Sequence, residues 1–539
     1  MTLLPRLPFP FLHRLQSFRL RAVLSGVTGV LLVLCFPQPN LSFLVWVAGV
    51  PLLAALLSET SLRRAFLLGY LAGVIFILFG CGWIAEVIRF YGGLPRLLSF
   101  GVLLLFSLLF AVFFGFYGLA VGALGRWSRV LALLSAPVVW VACEYGRTHL
   151  FTGFGWNLLG YAVTPQGLRG LATVTGVYGL SFLAVATQAL ILGLVLFKRV
   201  RGVQATALAW VVLLVGGNWM ASPPPVAREL KAETVYLVQP DIPLQAPESG
   251  PSPGNGGEKP DWQEMLRRTA LRVREDSHSR PPLVIWPESP APFYYNRDAA
   301  FRASVNTLAR SMQAFLILGV VNFSAEDSPK DPPKPRNTAV MISPEGSLRL
   351  EYDKIHLVPF GEYVPAWAFP DKIGKITAEA GHFVPGRNHR VGETDRGKLG
   401  VFICYEAVFP DLVRRFAQKG AGVLVTISND AWFGRSSAAE QHFAMVRMRA
   451  IENRRYVLRA ANDGITAVLD PYGRVVERLD RFEPAILKGT FEYRSGRTFY
   501  TRFGDVFAWF CCLSVAAAFA VGGALRRRKK VSEIEKEKP

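Results

Sequence analysis

The chain has 539 residues, is 51% hydrophobic and carries a formal net charge of +20, so it is too long for one ordinary domain and too apolar for a typical water-soluble protein. The charge is unevenly placed: residues 228–495 hold 36 Lys/Arg against 33 Asp/Glu, and the remainder holds 24 against 7. The excess flanks apolar segments, as in the cytoplasmic loops of membrane proteins, which argues against a nucleic-acid partner. The six cysteines, at 35, 81, 143, 404, 511 and 512, form no CxxC and no Cys/His ligand spacing, which argues against a disulfide framework and a structural zinc.

Apolar stretches near 22–36, 41–57, 65–85, 97–121, 130–146, 170–197 and 203–220 read as seven transmembrane helices, and 505–525 as an eighth. Each approaches the ~20 residues that cross a bilayer, the first two being short. The sequence thus predicts a membrane domain over 1–221, a polar domain over 222–500, and a last span with a basic tail over 501–539. If eight spans alternate, Arg6, Arg14, Arg19 and Arg21 fall on one side with Arg63-Arg64, Arg126, Arg129, Lys198-Arg199, Arg201 and the run Arg526–Lys530. That side is cytoplasmic, so both termini are inside and the polar domain is outside. Glu144 and Arg147 share one helix face near the end of the fifth span, and the pair is expected near the interface. The loop Gly153–Tyr161, rich in glycine and aromatics, is expected to be an interfacial belt or part of a lipid entrance.

The polar domain opens with Ser222-Pro223-Pro224-Pro225, a linker, and carries a flexible loop at Pro251–Gly257. Strands are predicted over Thr234–Val238, Leu283–Trp286 and Phe315–Asn322, with helices over Trp262–Ser277 and Asp298–Ala314. A hairpin follows, Thr338–Ile342 and Leu348–Tyr352 about Pro344-Glu345-Gly346. Then come a strand ending at Cys404, a helix near Pro410–Gln418, a strand over Val423–Ile427, a helix over about Ala438–Arg455, and two strands flanking Asp470–Gly473. This is a mixed α/β domain. It holds no G-x-S-x-G and no Walker loop.

Three chemically loaded groups stand at or just past predicted strands: Glu288 in Trp286-Pro287-Glu288, Lys354 in the run Lys354–Glu362, and Cys404 in Cys404-Tyr405-Glu406. A thiol is a strong nucleophile once deprotonated. A carboxylate beside it repels the thiolate, so Glu288 serves best as proton acceptor, while the Lys354 ammonium compensates charge and can stabilise an oxyanion with a backbone N–H near Tyr405. Glu362 and Glu406 are placed to orient the lysine or support the proton relay.

These motifs resemble the nitrilase, or carbon–nitrogen hydrolase, superfamily. Together with Asn429-Asp430-Ala431-Trp432-Phe433-Gly434, the extended run Lys354–Pro365 and the multi-span N-terminus, they resemble the bacterial apolipoprotein N-acyltransferase family over about residues 20–525. The resemblance implies an α-β-β-α sandwich outside a bundle of about eight transmembrane helices, with Glu288 as base, Lys354 as oxyanion partner and Cys404 as acyl carrier. It places Glu362, Tyr405 and Glu406 in the active site and matches Trp262 to a tryptophan on a loop over it. It also implies the reaction, transfer of a fatty acyl chain from a phospholipid to the α-amino group of a lipoprotein's diacylglyceryl-cysteine, in the bacterial inner membrane with the polar domain periplasmic. No metal or organic cofactor is called for, and the protein is expected to be a monomer. Phe293-Tyr294-Tyr295, Phe360, Tyr363, Trp367, Phe369, Trp432 and Phe433 are expected to form a lipid-facing mouth or to pack as core, with Trp432-Phe433 as a mobile membrane-facing loop. A membrane-tethered amidase and a non-catalytic lipid-binding or transport protein are the alternatives.

Overall fold

The apolar stretches form helices in a computed structural model that describes residues 17–197, 200–220, 232–242, 262–289, 294–323, 334–365 and 383–536. The chain divides into two compact units: Met1–Ile84 with Phe100–Pro223 and Gly504–Pro539, and Ala85–Ser99 with Pro224–Phe503.

The first unit contains α1 (Phe18–Leu34), α2 (Val50–Leu57) and α3 (Leu62–Gly80). Helix α4 (Trp83–Tyr91) lies mostly in the second unit, and α5 (Arg96–Phe110) passes from that unit into the first. The first unit continues with α6 (Val112–Trp127), α7 (Arg129–His149), α8 (Val177–Leu196) and α9 (Arg201–Met220). Among the described residues six helical stretches are long and apolar enough to cross a membrane: Leu62–Gly80, Arg96–Trp127, Arg129–His149, Val177–Leu196, Arg201–Trp219 and Val506–Ala524. The stretch expected at 41–57 is not one helix: a 3-10 turn at Ser42–Trp46 precedes α2, because Gly49 and Pro51 interrupt the hydrogen-bond ladder. The stretch expected at 170–197 begins its long helix only at Val177, after Gly176 at φ +63°.

The loop Gly153–Tyr161 is not an exposed belt. Phe154, Trp156, Leu158, Leu159 and Tyr161 are buried, and so are Glu144 and Arg147. Glu144 Oε1 accepts from the Leu159 amide at 2.8 Å, and Arg147 Nη1 donates to the Trp156 carbonyl at 2.9 Å. The two charges supply partners to non-helical backbone that would otherwise be unsatisfied away from water.

The second unit is built on two mixed six-stranded sheets. The first has the order β12-β1-β2-β3-β4-β5, with β1 Glu233–Gln239, β2 Leu283–Ile285, β3 Phe315–Phe323, β4 Pro335–Ile342, β5 Leu348–Asp353 and β12 Ala485–Phe491. The second has the order β11-β10-β9-β8-β7-β6, with β6 Val391–Thr394, β7 Gly397–Ile403, β8 Ala421–Ser428, β9 Tyr456–Ala461, β10 Ala467–Leu469 and β11 Val475–Arg478. Met341 on β4 meets Gly392 on β6, and Val468 on β10 meets Gly489 on β12, so the sheets pack face to face with glycines admitting the larger partners. Helices α10 (Trp262–Arg274) and α11 (Ala299–Met312) cover the first sheet through Met265, Val273, Phe301, Val305 and Leu308. Helices α12 (Pro410–Gln418) and α13 (Ala438–Asn453) accompany the second, Phe416 of α12 lying against Gly400 of β7. Helix α14 (Val506–Lys536) ends the described chain.

Strands β1, β2 and β3 run parallel, as do β7, β8 and β9. Their carboxyl ends deliver Glu288, Cys404 and Asn429, the usual placement of a site in parallel sheets. Gly319 on β3 makes room for one of them: a Cβ there would stand 2.7 Å from the Glu288 Cα and from the Ser289 nitrogen, both backbone atoms. Gly319→Ala is therefore expected to cost ~1–3 kcal/mol by overpacking and to displace Glu288. Thermal unfolding of the purified variant reads the first effect and its residual activity the second, and an unchanged melting point with full activity would refute the packing argument.

Candidate active site

Lys354 directly follows β5, with its side chain 1% exposed. Its Nζ donates to Glu362 Oε1 at 2.9 Å and to Glu288 Oε1 at 3.3 Å. Burial works against the ammonium, but Glu288, Glu362 and the Cys404 sulfur outweigh it and hold Lys354 charged, above its ordinary range. Both carboxylates are further tied down. Glu288 Oε2 accepts from the Asn429 amide at 3.0 Å, and Glu362 Oε2 from the Val358 amide at 2.7 Å. Asn337 Nδ2 donates to Glu288 at 2.7 Å and to Glu362 at 2.8 Å, which fixes its amide orientation, since an oxygen there would face two anions.

Cys404 is 8% exposed and follows β7 as the first residue of a 3-10 turn, Cys404–Val408. Its φ of +48° is unusual for a residue with a Cβ and turns the side chain out of the strand's alternation. Burial pushes the thiol up to about 12, Glu288 adds to this, and Lys354 opposes it. The resting group is therefore a neutral thiol within electrostatic reach of a carboxylate and a fixed ammonium.

Glu406 does not contact Lys354 through a hydrogen bond but holds backbone. Its Oε1 accepts from the Tyr352 hydroxyl at 2.7 Å and from the Ile355 and His356 amides at 2.7 and 3.2 Å, and its Oε2 from the Ile403 amide at 2.7 Å. Burial lifts the carboxyl to about 7 against the pull of the Ile403 amide and the other donors. This clamp fixes the chain after Lys354 to the chain before Cys404. Tyr405 packs its ring against Phe409 and His356, at centroid distances of 5.3 and 5.8 Å.

Asp430, in the turn Asp430–Phe433, belongs to a buried network that sequence reasoning missed. Asp430 pairs with Arg459 at 2.7 Å and accepts from Ser428 Oγ at 2.7 Å. Burial opposes its ionisation, but Arg459, His442 and Ser428 hold the carboxyl well below the usual range. Arg459 Nη2 lies 3.2 Å from His442 Nδ1, and His442 Nε2 lies 3.0 Å from the Cys404 carbonyl oxygen. A guanidinium can only donate, so Nδ1 accepts and Nε2–H donates to Cys404. Burial lowers the His442 pKa, consistent with this neutral tautomer. His442 and Arg459 lie in α13 and β9, far from any motif, and only their polarity in otherwise apolar runs marks them.

Trp432 is 41% exposed, its ring 4.8 Å from that of Tyr91, whose hydroxyl donates to the Ala431 carbonyl at 2.9 Å. Phe433 faces the His442 ring at 6.1 Å. Tyr294 and Phe360 are exposed, whereas Tyr295, in the turn before α11, is core, its hydroxyl donating to Asn306 of that helix at 3.0 Å. Trp262 begins α10. Phe293, Trp367, Phe369 and the loop Pro251–Gly257 lie outside the described residues.

Paired mixed sheets with a thiol, a lysine and a carboxylate converging at strand ends define a carbon–nitrogen hydrolase domain, and residues 257–497 match the family described as Carbon-nitrogen hydrolase. Residues 28–190 match the Apolipoprotein N-acyltransferase N-terminal domain. The chain is 37% identical over 528 residues to the apolipoprotein N-acyltransferase of Geobacter metallireducens, covering 95% of this chain and 96% of that one. It is 32% identical over 520 residues to that of Methylococcus capsulatus, covering 95% and 97%. Among solved structures it is similar to an amidase from Nesterenkonia sp., at 19% identity and a TM-score of 0.37, covering 52% of this chain and 95% of that one. The chain belongs to the apolipoprotein N-acyltransferase family.

Two expectations follow from the charges. In Glu288→Gln the thiol loses its repelling carboxylate, so its pKa falls and alkylation of Cys404 by iodoacetamide should reach half its maximum rate at lower pH than in the wild type. An unmoved midpoint would remove Glu288 from the electrostatics of the thiol. His442→Ala leaves the buried Cys404 carbonyl without its side-chain donor, while Arg459 Nη2 keeps Asp430, with an expected loss of about 2 kcal/mol of stability. It should also slow turnover ~10²-fold through misplacement of the thiol. Unfolding and steady-state rates of that variant measure both, and wild-type rates would show that the network does not position Cys404.

Proposed function

We propose that this membrane protein is an acyltransferase that N-acylates lipoproteins, moving a fatty acyl chain from a phospholipid to the α-amino group of an N-terminal S-diacylglyceryl-cysteine. The observation that carries this reading is a buried thiol within electrostatic reach of an ion-paired carboxylate and buried lysine, in a chain whose full-length relatives bear the acyltransferase name. Glu288 is the base, Lys354 the oxyanion partner and Cys404 the acyl carrier. As the sulfur attacks the ester carbonyl its proton passes to Glu288, and the carbonyl oxygen gains charge near Lys354 and a backbone N–H after Cys404. The ester C–O bond breaks, the leaving alkoxide takes the proton from Glu288, and a lyso-phospholipid departs from the Cys404 thioester. In the second half the neutral amine attacks, Glu288 takes its proton, the C–S bond breaks and the thiol is restored.

Glu362 orients Lys354, Glu406 holds the two site loops in register, and Tyr405 walls the thiol. Trp262, Trp432 and Phe433 contact lipid at the mouth. The membrane part is 1–221 with about seven spans, the catalytic domain 222–500, and the last span with its tail 501–539. We place both termini in the cytoplasm and the catalytic domain on the periplasmic face of the bacterial inner membrane, from the distribution of Lys and Arg. The protein acts as a monomer.

Incubation of the detergent-purified protein with phospholipid and no acceptor should give a fatty-acyl adduct on Cys404, visible by intact mass, labile to hydroxylamine and lost in Cys404→Ala. Untouched phospholipid with hydrolysis of small amides would instead make the protein a membrane-tethered amidase.

A further inference from the structure

A second cavity, of about 430 Å³, lies in the catalytic unit and shares no lining residue with the Glu288–Lys354–Cys404 cluster. Its walls carry four arginines, Arg455, Arg494, Arg497 and Arg502, together with Ser495 and Gly496. Arg455 is 3% exposed. Its hydrogen bonds are made, but only to carbonyls: Nε to Ala421 at 2.7 Å, Nη2 to Gly496 at 2.5 Å, and Nη1 to Asn453 and Arg454 at 3.3 and 3.2 Å. Each of its nitrogens has a carbonyl partner while its charge has no counter-ion, because carbonyl dipoles do not neutralise a cation. Among the described residues neither Arg455, Arg497 nor Arg502 has a carboxylate partner, and the ion pair of Arg494 is with Glu492 at 3.2 Å. Burial first, then Arg497 and Arg494, press the Arg455 guanidinium down to about 10.

Like charges around a concave, partly dry wall repel one another and focus a positive potential into it. A buried arginine is ordinarily paired with an anion. The ligand that best answers several guanidinium forks at once is a phosphate group, whose oxygens accept parallel pairs of N–H bonds. The turn supports such an approach: Gly496 has φ +85°, and nothing stands within 4 Å of where a Cβ would be, so backbone leaves the cavity open. Arg502 precedes the apolar helix Val506–Lys536 by four positions, the stretch of chain in which a membrane protein meets headgroups.

We propose that this arginine-lined cavity binds a phosphate group, that of an anionic phospholipid headgroup or free phosphate, at a site separate from the acyl-transfer centre. It requires nothing of Cys404, so its test is independent of the acyltransferase reading. The exposed pair is changed together, as Arg497→Gln with Arg502→Gln, because neither side chain supports the core; unfolding temperature checks the fold. Delipidated full-length protein is titrated in detergent with phosphatidylglycerol, with diacylglycerol as the phosphate-free control, and separately with inorganic phosphate. Bound molecules are counted by native mass spectrometry, and affinities come from calorimetry. The wild type should bind one phosphatidylglycerol more than the double variant, or bind it at least roughly tenfold tighter, the worth of one charge-assisted hydrogen bond. Diacylglycerol should show no difference. Arg497→Lys with Arg502→Lys should recover part of the binding, since charge returns without the fork. The same difference seen only with inorganic phosphate supports the site and assigns it to the free anion. Equal binding by wild type and double variant in both titrations overturns the proposal.

Discussion

The Lys354 ammonium, buried between Glu288 and Glu362, is the interaction on which the rest of the site depends. Taking three charges out of water costs several kcal/mol per ion, and Coulomb attraction offsets that only when the remaining lone pairs find donors. Asn337 and the amides of Val358 and Asn429 are those donors. The last of them matters for architecture as well as charge. Lys354 and Glu288 come from the first sheet, whereas Asn429 follows β8 of the second, so the ion cluster is also a stitch across the two sheets. Removing the Glu288 carboxylate would leave the Asn429 amide and one Asn337 donor without their acceptor and loosen the join between sheets at the same point.

Cys404 is held from two sides. A residue with a Cβ at positive φ carries backbone strain of ~1–3 kcal/mol and persists only where its surroundings over-determine it. Here the Glu406 carboxylate takes the Ile403 amide just before the cysteine, and His442 takes the cysteine's own carbonyl. Behind His442 stands the Arg459–Asp430 pair, whose own turn carries Trp432 and Phe433. The thiol's backbone and the aromatic turn, which begins 26 positions further along the chain, are therefore fixed by one buried polar network.

What the sequence disclosed followed the strength of local signals. Most predicted strands and helices of the second unit recur with boundaries shifted by a few residues, because β-branched runs and amphipathic spacing are local. Val391–Thr394, Tyr456–Ala461 and Ala485–Phe491 went unread as strands, being short, charged or interrupted, and they are specified by pairing with distant partners. Glu288, Lys354 and Cys404 were legible because each stands in a run of unusual chemistry. Asn337, His442 and Arg459 were not: each is a single polar residue inside an ordinary strand or helix, and its meaning appears only when the fold brings a carboxylate or a carbonyl to it. In the membrane unit, hydropathy located apolar chain but not its breaks, and Gly49, Pro51 and Gly176 decide where helices stop. Glu144 and Arg147 looked like an interfacial pair because sequence shows their spacing but not the loop backbone they satisfy.

The charge count of the site argues for how it works. Counting formal charges, one lysine is paired with two carboxylates, so the cluster carries one net negative charge before the thiol is considered. Burial chiefly, and then the Glu288 charge, disfavour a second negative charge on the sulfur, so the thiol stays neutral at rest. In the mechanism we propose, no new charge is created during attack: the proton goes to Glu288 as negative charge passes through sulfur to the carbonyl oxygen, so Glu288 ceases to repel at the moment the oxyanion appears. Lys354, relieved of one carboxylate partner, then has a stronger claim on that oxyanion. In that mechanism Glu288 disfavours the ground-state thiolate and, once protonated, leaves Lys354 to favour the transition state, and that difference, rather than tight binding of substrate, is what accelerates a reaction.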